Sequence, residues 1–231
     1  MRKKILVVSH ERSGTHFLMN TITRCFGELL GWIDLDDKHG VNWRDPEMAR
    51  AWLAQFKGQF VPALFKSHHA LPLLAPVIGQ ELDEYIVFYV QRDGRDVMTS
   101  FWIYLNRLVD DWGPKTATVG EFMRAPSRGV ITQYQSDERI TMLQRWVDHV
   151  AGWNRADFLV HRVSYESLHA QHDAVVDRIA AILEQPPVTR ARPGLDAPSI
   201  LPWRGKVGTW REFFTAADSD YFERNTKRLR G

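Results

Sequence analysis

The apolar residues of the chain gather in short runs, and the four strongest runs are rich in β-branched and aromatic residues. The clearest two show almost no alternation of apolar and polar positions, which is typical of strands covered on both faces. The sequence therefore predicts four buried strands, at residues 4–10, 60–66, 85–91 and 158–165.

A helical pattern recurs between and after these runs, with apolar residues spaced three and four positions apart. It is clear in residues 166–185, where Val175, Val176, Ile179 and Leu183 form a stripe along one side. Four helices are predicted in this way, at residues 15–30, 94–108, 138–156 and 166–185.

Strands and helices that alternate along a chain are typical of a parallel sheet, because parallel strands need crossover connections. We therefore expect a single-domain α/β fold over residues 1–231, a doubly wound parallel sheet flanked by helices. In such a sheet, ligands bind beyond the carboxyl ends of the strands. Proline and glycine cluster at residues 184–205, and apolar residues return directly afterwards, so we interpret this stretch as a long connection.

Composition excludes several classes of protein. The 231 residues are 44% hydrophobic, enough for a sizeable core, and a net charge of +2 argues against a protein that binds nucleic acid through general basicity. The single cysteine, Cys25, excludes an internal disulfide framework and favours a reducing compartment. Only four consecutive apolar residues precede Ser9, so we expect a cytoplasmic protein without a membrane span. Nothing in the sequence indicates the oligomeric state.

The first strand runs directly into a short turn, Arg12-Ser13-Gly14-Thr15, which precedes a predicted helix. The amino end of a helix presents free N–H groups and the positive end of its dipole, so this turn is a candidate anion site. The alternative is an ordinary turn with a hydroxyl N-cap. The turn is P-loop-like but lacks the lysine and the Mg²⁺-binding hydroxyl of nucleoside triphosphatases, since Ser9 and Thr15 occupy the first glycine and lysine positions. We expect a phosphate-type ligand bound without a metal.

Cationic and hydroxyl residues also follow other predicted strands. Lys66 ends the second predicted strand and His68 and His69 follow it, Arg92 directly follows the third, and Ser100 stands eight residues later. A glycine-flanked loop at residues 204–206 offers further basic groups. Each feature has a structural alternative, a packed histidine or a surface turn, but together they place anion-binding groups at one edge of the sheet.

Together these residues resemble the sulfotransferase family that uses 3′-phosphoadenosine 5′-phosphosulfate (PAPS). RSGTHF at 12–17 is similar to its 5′-phosphosulfate loop, and KSH at 66–68 is similar to its lysine and histidine signature. The stretch 92–100 resembles its 3′-phosphate motif. SYESL at 164–168 and RGKVGTWREFFT at 204–215 resemble two segments nearer the C-terminus, at an adenine site and a phosphate-binding loop.

The resemblance implies in-line transfer of a sulfuryl group from PAPS to the hydroxyl of a small molecule, with adenosine 3′,5′-bisphosphate (PAP) as product and no metal. It implies that His68 is the base and that Lys66 and Arg12 stabilise charge on the leaving group. An unperturbed histidine pKa near ~6.5 suits the base. The residues implied to bind the donor are Arg12, Ser13, Gly14, Thr15, His16, Phe17, Arg92, Ser100, Tyr165, Arg204, Gly205 and Lys206.

Two departures from the family pattern and two rival functions stay open. Arg12 stands where many members have lysine, and Trp203 stands at the first basic position of the C-terminal loop. Arginine keeps its proton, so Arg12 cannot serve as an acid. The rivals are a kinase-like phosphotransferase and a catalytically silent nucleotide-binding module. For the acceptor, we favour an apolar or aromatic alcohol over a sugar hydroxyl.

Overall fold

A computed structural model describes five stretches of the chain, residues 3–27, 31–57, 63–137, 139–194 and 206–229. Arg204 and Gly205 lie outside the described residues. The described strands are β1 (Lys4–Ser9), β2 (Gly31–Leu35), β3 (Ala63–Ser67), β4 (Tyr85–Gln91) and β5 (His161–Ser164). They form one parallel sheet in the order β2-β3-β1-β4-β5.

Helices connect and cover these strands. The α-helices of the described residues are α1 (Thr15–Phe26), α2 (Pro46–Ala54), α3 (Leu71–Ile78), α4 (Gly94–Arg107), α5 (Val119–Arg124), α6 (Met142–Asn154), α7 (Tyr165–Ala170), α8 (His172–Leu183) and α9 (Ala216–Thr226). Short 3₁₀ helices occupy Asp37–His39, Gly79–Glu84, Val130–Tyr134, Thr209–Glu212 and Lys227–Leu229. No helix among the described residues has the length and apolar character needed to cross a membrane.

The central strand β1 is buried on both faces, as its apolar run predicts. Ile5 and Val7 pack in a cluster with residues of α1 and α8, whereas Leu6 and Val8 pack on the opposite face with residues of α2, α3 and α6. A third cluster joins α4, α5, α6 and α9. The prediction of a doubly wound parallel sheet flanked by helices is confirmed.

Several predicted boundaries differ from the structure for local reasons. The helix predicted at 15–30 ends at Phe26, because Gly27 adopts a positive φ of 68°. The helix predicted at 166–185 is two helices, separated at Gln171, whose φ of −138° interrupts the helical hydrogen bonds. The strand predicted at 158–165 is only His161–Ser164, because Tyr165 already begins α7.

The sequence prediction missed β2, together with the helices α2, α3, α5 and α9. β2 is an edge strand in which four of five residues are only partly buried, so it lacks the apolar run that marks β1 and β4. Of the strand predicted at 60–66, residues 60–62 lie outside the described residues. The described part, β3, extends to Ser67.

Candidate active site

The turn after β1 has an unusual backbone. Arg12 has a φ of 64° and Gly14 a φ of 103°, both in the left-handed region that side chains rarely adopt. A side chain at Gly14 would also overlap the ring of Tyr165. Gly14 is therefore required both by its conformation and by the close approach of Tyr165.

The amino end of α1 is left open by this turn. Gly14 occupies the N-cap position, no side chain caps the first N–H groups, and the first turn contains no acidic residue. The hydroxyls of Ser9 and Thr15 hydrogen-bond to each other instead. An ordinary hydroxyl-capped turn is thus not what the chain forms, and the uncapped N–H groups and helix dipole suit an anion.

Two arginines converge on this phosphate turn, residues 12–15. The Arg12 Nε atom lies 3.2 Å from Ser100 Oγ, and its guanidinium lies 4.8 Å from the ring centre of Tyr104. Arg92 donates to the Arg12 carbonyl at 3.1 Å and stacks 4.2 Å from the ring centre of Tyr165. Burial, together with the charge of Arg92, lowers the pKa of Arg12 to about 10, which leaves it cationic at neutral pH.

The two guanidiniums have few negative partners. Arg92 Nη2 lies 3.8 Å from the Asp96 carboxylate, while the buried Arg92 Nε atom has no hydrogen-bond partner. The contacts described for Arg12 are with a hydroxyl and a ring, which are neutral. Two neighbouring buried cations in such surroundings create a strong positive potential, which an anion would satisfy.

Asp96 is used mainly to hold the C-terminal loop against α4. Its carboxylate accepts hydrogen bonds from the backbone N–H groups of Gly208 at 2.7 Å and Trp210 at 3.0 Å. Arg92 adds a bond to the Lys206 carbonyl at 3.0 Å. Asp96 was not singled out from the sequence, although it lies inside the 92–100 motif. The loop that follows Arg204 and Gly205 therefore meets the phosphate turn through Arg92.

An aromatic cluster lies beside the turn. Phe17 and Tyr165, both predicted donor residues, have ring centres 6.0 Å apart. His169 lies 4.5 Å from Tyr165 and 5.0 Å from Phe17, and the Arg192 guanidinium lies 5.0 Å from the Phe17 ring. His169 and Arg192 were not predicted from the sequence. His169 follows Tyr165 by four residues, one helical turn, which is the signal that could have found it.

The ammonium of Lys66, at the end of β3, is paired with a carboxylate that was not predicted from the sequence. Lys66 Nζ lies 2.6 Å from Asp34 Oδ1, and Lys38 Nζ lies 2.7 Å from Asp34 Oδ2. Burial raises the pKa of Asp34, but the charges and hydrogen bonds of Lys66 and Lys38 outweigh it and lower the pKa to about 2. Asp34 is therefore ionised across the working pH range.

His68 has a defined hydrogen-bonding state. Its Nδ1 atom lies 2.8 Å from the carbonyl oxygen of Ser9, which can only accept, so Nδ1 carries the proton and Nε2 keeps its lone pair when the ring is neutral. Burial and the charge of Lys66 lower the pKa of His68 to about 3, against the weaker opposing effect of Glu11. The unperturbed value near ~6.5 expected from the sequence is wrong for this site.

Behind His68 lies a buried polar cluster, formed by His10, Glu11, His69, Arg145 and His149. Arg145 binds both carboxylate oxygens of Glu11, at 2.8 and 2.6 Å, and donates to His10 Nε2 at 2.7 Å. His69 Nδ1 lies 3.0 Å from Ser67 Oγ, and its ring is 5.0 Å from that of Tyr134. His69 is fully buried, and its ring also lies 5.1 Å from that of Trp43.

Comparison with known proteins gives the chain its family. The family description of the sulfotransferase domain matches residues 2–192, most of the chain.

This chain belongs to the sulfotransferase family.

Human sulfotransferase 2B1 is 25% identical over 264 aligned positions, which cover 98% of this chain and 66% of the human protein. The chain thus spans just under two thirds of that curated relative.

Solved sulfotransferases share the fold. The crystal structure of mouse sulfotransferase SULT7A1 with PAP has a TM-score of 0.70 at 18% identity and covers 100% of this chain and 86% of its own. A retinol dehydratase with androsterone and PAP has a TM-score of 0.61 at 17% identity, covering 97% and 80%. A sulfotransferase from Alicyclobacillus acidocaldarius has a TM-score of 0.53 at 15% identity, covering 99% and 94%.

Within this sulfotransferase fold, most of the predicted residues come together at the carboxyl edge of the sheet. His16 and Lys206, both predicted to bind the donor, have surroundings that differ from this expectation. His16 is largely buried against the ring of Trp32, 5.4 Å away, and burial together with Lys66 lowers its pKa to about 4. Lys206 is exposed, and its described contact with the site is its carbonyl oxygen, which accepts from Arg92.

Proposed function

We propose that this chain is a PAPS-dependent sulfotransferase that transfers a sulfuryl group to the hydroxyl of a small molecule. One observation carries the proposal. Two buried guanidiniums, those of Arg12 and Arg92, meet at the uncapped amino end of α1, at the edge where His68 directly follows β3. This arrangement favours a nucleotide that carries two anionic groups, with the neutral imidazole of His68 beside it as a base.

The described residues fit such a donor. The uncapped N–H groups at Gly14 and Thr15 and the hydroxyl of Ser13, whose own N–H donates to the His10 carbonyl, suit its 5′-phosphate. The unpartnered Nε of Arg92 with the hydroxyl of Ser100 suits its 3′-phosphate. The rings of Phe17 and Tyr165 offer faces for the base. Arg204, Gly205 and Lys206 are proposed for the 3′-phosphate side, and His16 for the first turn of α1. When bound, PAPS supplies a sulfuryl group that is already activated by its attachment to phosphate.

His68 is proposed as the general base. Its Nε2 lone pair takes the proton of the acceptor hydroxyl, and the Ser9 carbonyl at Nδ1 fixes the tautomer and stabilises the imidazolium that forms. The low pKa of His68 keeps the ring neutral at pH 7. Lys66 and Arg12 supply fixed positive charge for the departing phosphate, and Arg12 does so without giving up its proton.

The surroundings of His68 support an acceptor with an apolar or aromatic body. Tyr134 lies 5.6 Å from the His68 ring, and Tyr104 covers the guanidinium of Arg12. Rings in such positions pack against apolar surface while leaving a hydroxyl near the base. Retinol and androsterone are bound by the retinol dehydratases of similar fold. We propose a small alcohol or phenol as the acceptor.

Ligand-dependent melting tests the donor. In EDTA, PAP at 100 times its Kd should raise the Tm by about 5–10 °C, whereas ATP with Mg²⁺ should raise it by less than about 1 °C. Equal stabilisation by both nucleotides would count against a dedicated PAPS site, and Mg²⁺-dependent ATP turnover would favour a kinase-like enzyme.

Transfer of labelled sulfate from PAPS across phenols, sterols, sugars and lipids tests the reaction itself. PAP binding without transfer to any acceptor would indicate a silent nucleotide-binding module.

A further inference from the structure

The ion pair between Asp34 and Lys66 joins the carboxyl ends of two neighbouring strands. The two residues are register partners in the parallel pair of β2 and β3, and their charged atoms are 2.6 Å apart. Their side chains are only 12% and 10% exposed. A pair so enclosed loses little of its strength to solvent, so it restrains where the ammonium of Lys66 can lie.

Strand alternation directs this pair toward α1. Leu64 packs in the cluster that contains residues of α1, and Lys66, two positions later, points to the same side of the sheet. Trp32 packs on the same cluster and touches His16 in the first turn of α1, and Asp34 follows Trp32 by two. The ammonium therefore lies near the amino end of α1, and its charge contributes, after burial, to the lowered pKa of His16.

Asp34 is itself held in place from its other side. Its Oδ1 atom accepts a hydrogen bond from the ammonium of Lys66, and its Oδ2 atom accepts one from the ammonium of Lys38. The Lys38 ammonium also lies 3.1 Å from Asp36 Oδ2. With one oxygen on each lysine, the carboxylate cannot rotate freely. It presents a fixed negative partner to Lys66.

We propose that Asp34 is a positioning residue that holds the Lys66 ammonium beside the phosphate turn and competes with the nucleotide anion for it. This inference rests on the proposed function. A fixed ammonium is worth more to a developing negative charge than a mobile one, because no reorganisation is needed during the reaction. The same carboxylate weakens ground-state anion binding, both by repulsion and by holding one of the three N–H donors of Lys66.

In the variant D34N, the proposal predicts a higher affinity for PAP and a lower kcat. In D34N the carboxylate charge is lost, so Lys66 is available to the anion and PAP should bind about 3–10-fold more tightly by calorimetry. The ammonium is then less restrained, so kcat for sulfuryl transfer should fall by about tenfold or more. Asp34 with a merely structural role in β2 would lower the Tm and impair both quantities together.

The matched control is D36N. Asp36 also contacts Lys38, but its described partners do not include Lys66. D36N should leave the PAP affinity and kcat within about twofold of the parent. A D36N variant that reproduced both effects of D34N would overturn the assignment, because loop charge alone would then explain them.

A double-mutant cycle shows whether Asp34 acts through Lys66. In D34N/K66Q, kcat should match that of K66Q within about twofold, because no ammonium remains to be positioned. A further tenfold fall in the double variant would overturn the proposal. Both charges are absent from this variant, so the comparison holds even if D34N alone does not fold.

Failure of the proposed function and failure of the role of Asp34 would give different results. If the parent neither binds PAP nor transfers sulfate, the proposed function falls and this role falls with it. If the parent does both and D34N binds PAP more weakly than the parent, only the role of Asp34 falls.

Discussion

Two neighbouring regions of the molecule bury charge in opposite ways. In the buried polar cluster, Glu11 receives two hydrogen bonds from Arg145, at 2.6 and 2.8 Å, and His10 accepts a third bond from the same guanidinium. In the phosphate turn, the very next residue, Arg12, has a hydroxyl and an aromatic ring as its described partners. Two consecutive residues thus differ: Glu11 is ion-paired within the chain, whereas the described partners of Arg12 carry no charge.

The difference separates charge that serves the fold from charge that serves a ligand. Burying an ion costs free energy unless the ion is paired, and in the Glu11–Arg145 pair each charge is neutralised by the other. Arg12 and Arg92 lie together with one long ion pair described between them, that of Arg92 with Asp96 at 3.8 Å, so an anion from outside would stabilise both cations. The adjacent histidines also differ in their partners, since His69 Nδ1 bonds to the hydroxyl of Ser67 whereas His68 Nδ1 bonds to the carbonyl of Ser9.

The largest expected effect comes from the two histidines. H68N should lower kcat by roughly 10²–10⁴, the range for losing a general base, with PAP affinity nearly unchanged. H69N is the matched control, since His69 hydrogen-bonds to Ser67 and is packed between Trp43 and Tyr134. Its turnover should stay within about tenfold of the parent. Single-turnover transfer of labelled sulfate measures both variants, and near-parental turnover in H68N would remove His68 from the mechanism.

A second comparison uses two arginines of the β4–α4 junction. R92A should weaken PAP binding by about 2–5 kcal/mol, because a buried charge of the ligand loses its partner. R95A should change it by less than about 1 kcal/mol, since Arg95 is already bound to Asp93 at 3.0 and 2.6 Å and stacks on Trp210.

Adenosine 5′-monophosphate sharpens this second test, because it lacks the 3′-phosphate. Calorimetry should show a far smaller loss for the monophosphate than for PAP in R92A. Equal losses would assign Arg92 to the structure of the turn, which its bond to the Arg12 carbonyl would then explain.

The sequence predicted the central part of the sheet well and its edge poorly. β4 matches its predicted range and β1 differs by one residue, because both strands are covered on both faces and are apolar almost throughout. β2 is half-buried at the edge and carries a charged residue, Asp34, so its pattern is too weak to recognise. Missing β2 also meant missing the carboxylate that pairs with Lys66.

For the site, the sequence predicted which residues gather but not how their charges are balanced. Arg12 and Gly14 were found because the local turn carries them, Arg92 because it follows a strand, and Ser100 by its eight-residue spacing from Arg92. The pairing of Glu11 with Arg145 joins residues 134 positions apart, and no local pattern reports it. The lowered pKa of His68 also depends on burial and on Lys66, which only the folded chain reveals.

The smallest expected effect concerns pH and the buried polar cluster. Burial, with the charges of Arg145 and Arg44, lowers the pKa of His69 to about 3, and burial also lowers the pKa values of His10 and His149. An unfolded histidine titrates near ~6.5, so between that pH and the folded pKa the unfolded chain binds a proton that the folded chain does not. The free energy of unfolding should therefore fall as pH decreases from about 6.5 toward 4.

One such histidine contributes at most about 1.4 kcal/mol per pH unit to this loss. H69N removes one titrating group, so its free energy of unfolding should fall less steeply with acid than that of the parent, by up to that amount per unit. H69N also loses packing and the bond to Ser67, so it is expected to be less stable at pH 7, and only the slopes are compared. Urea unfolding at pH 7, 6, 5 and 4.5 measures them. Parallel curves for parent and variant would show that His69 takes up its proton in the folded chain as readily as in the unfolded one, and that the buried polar cluster tolerates charge as the phosphate turn does.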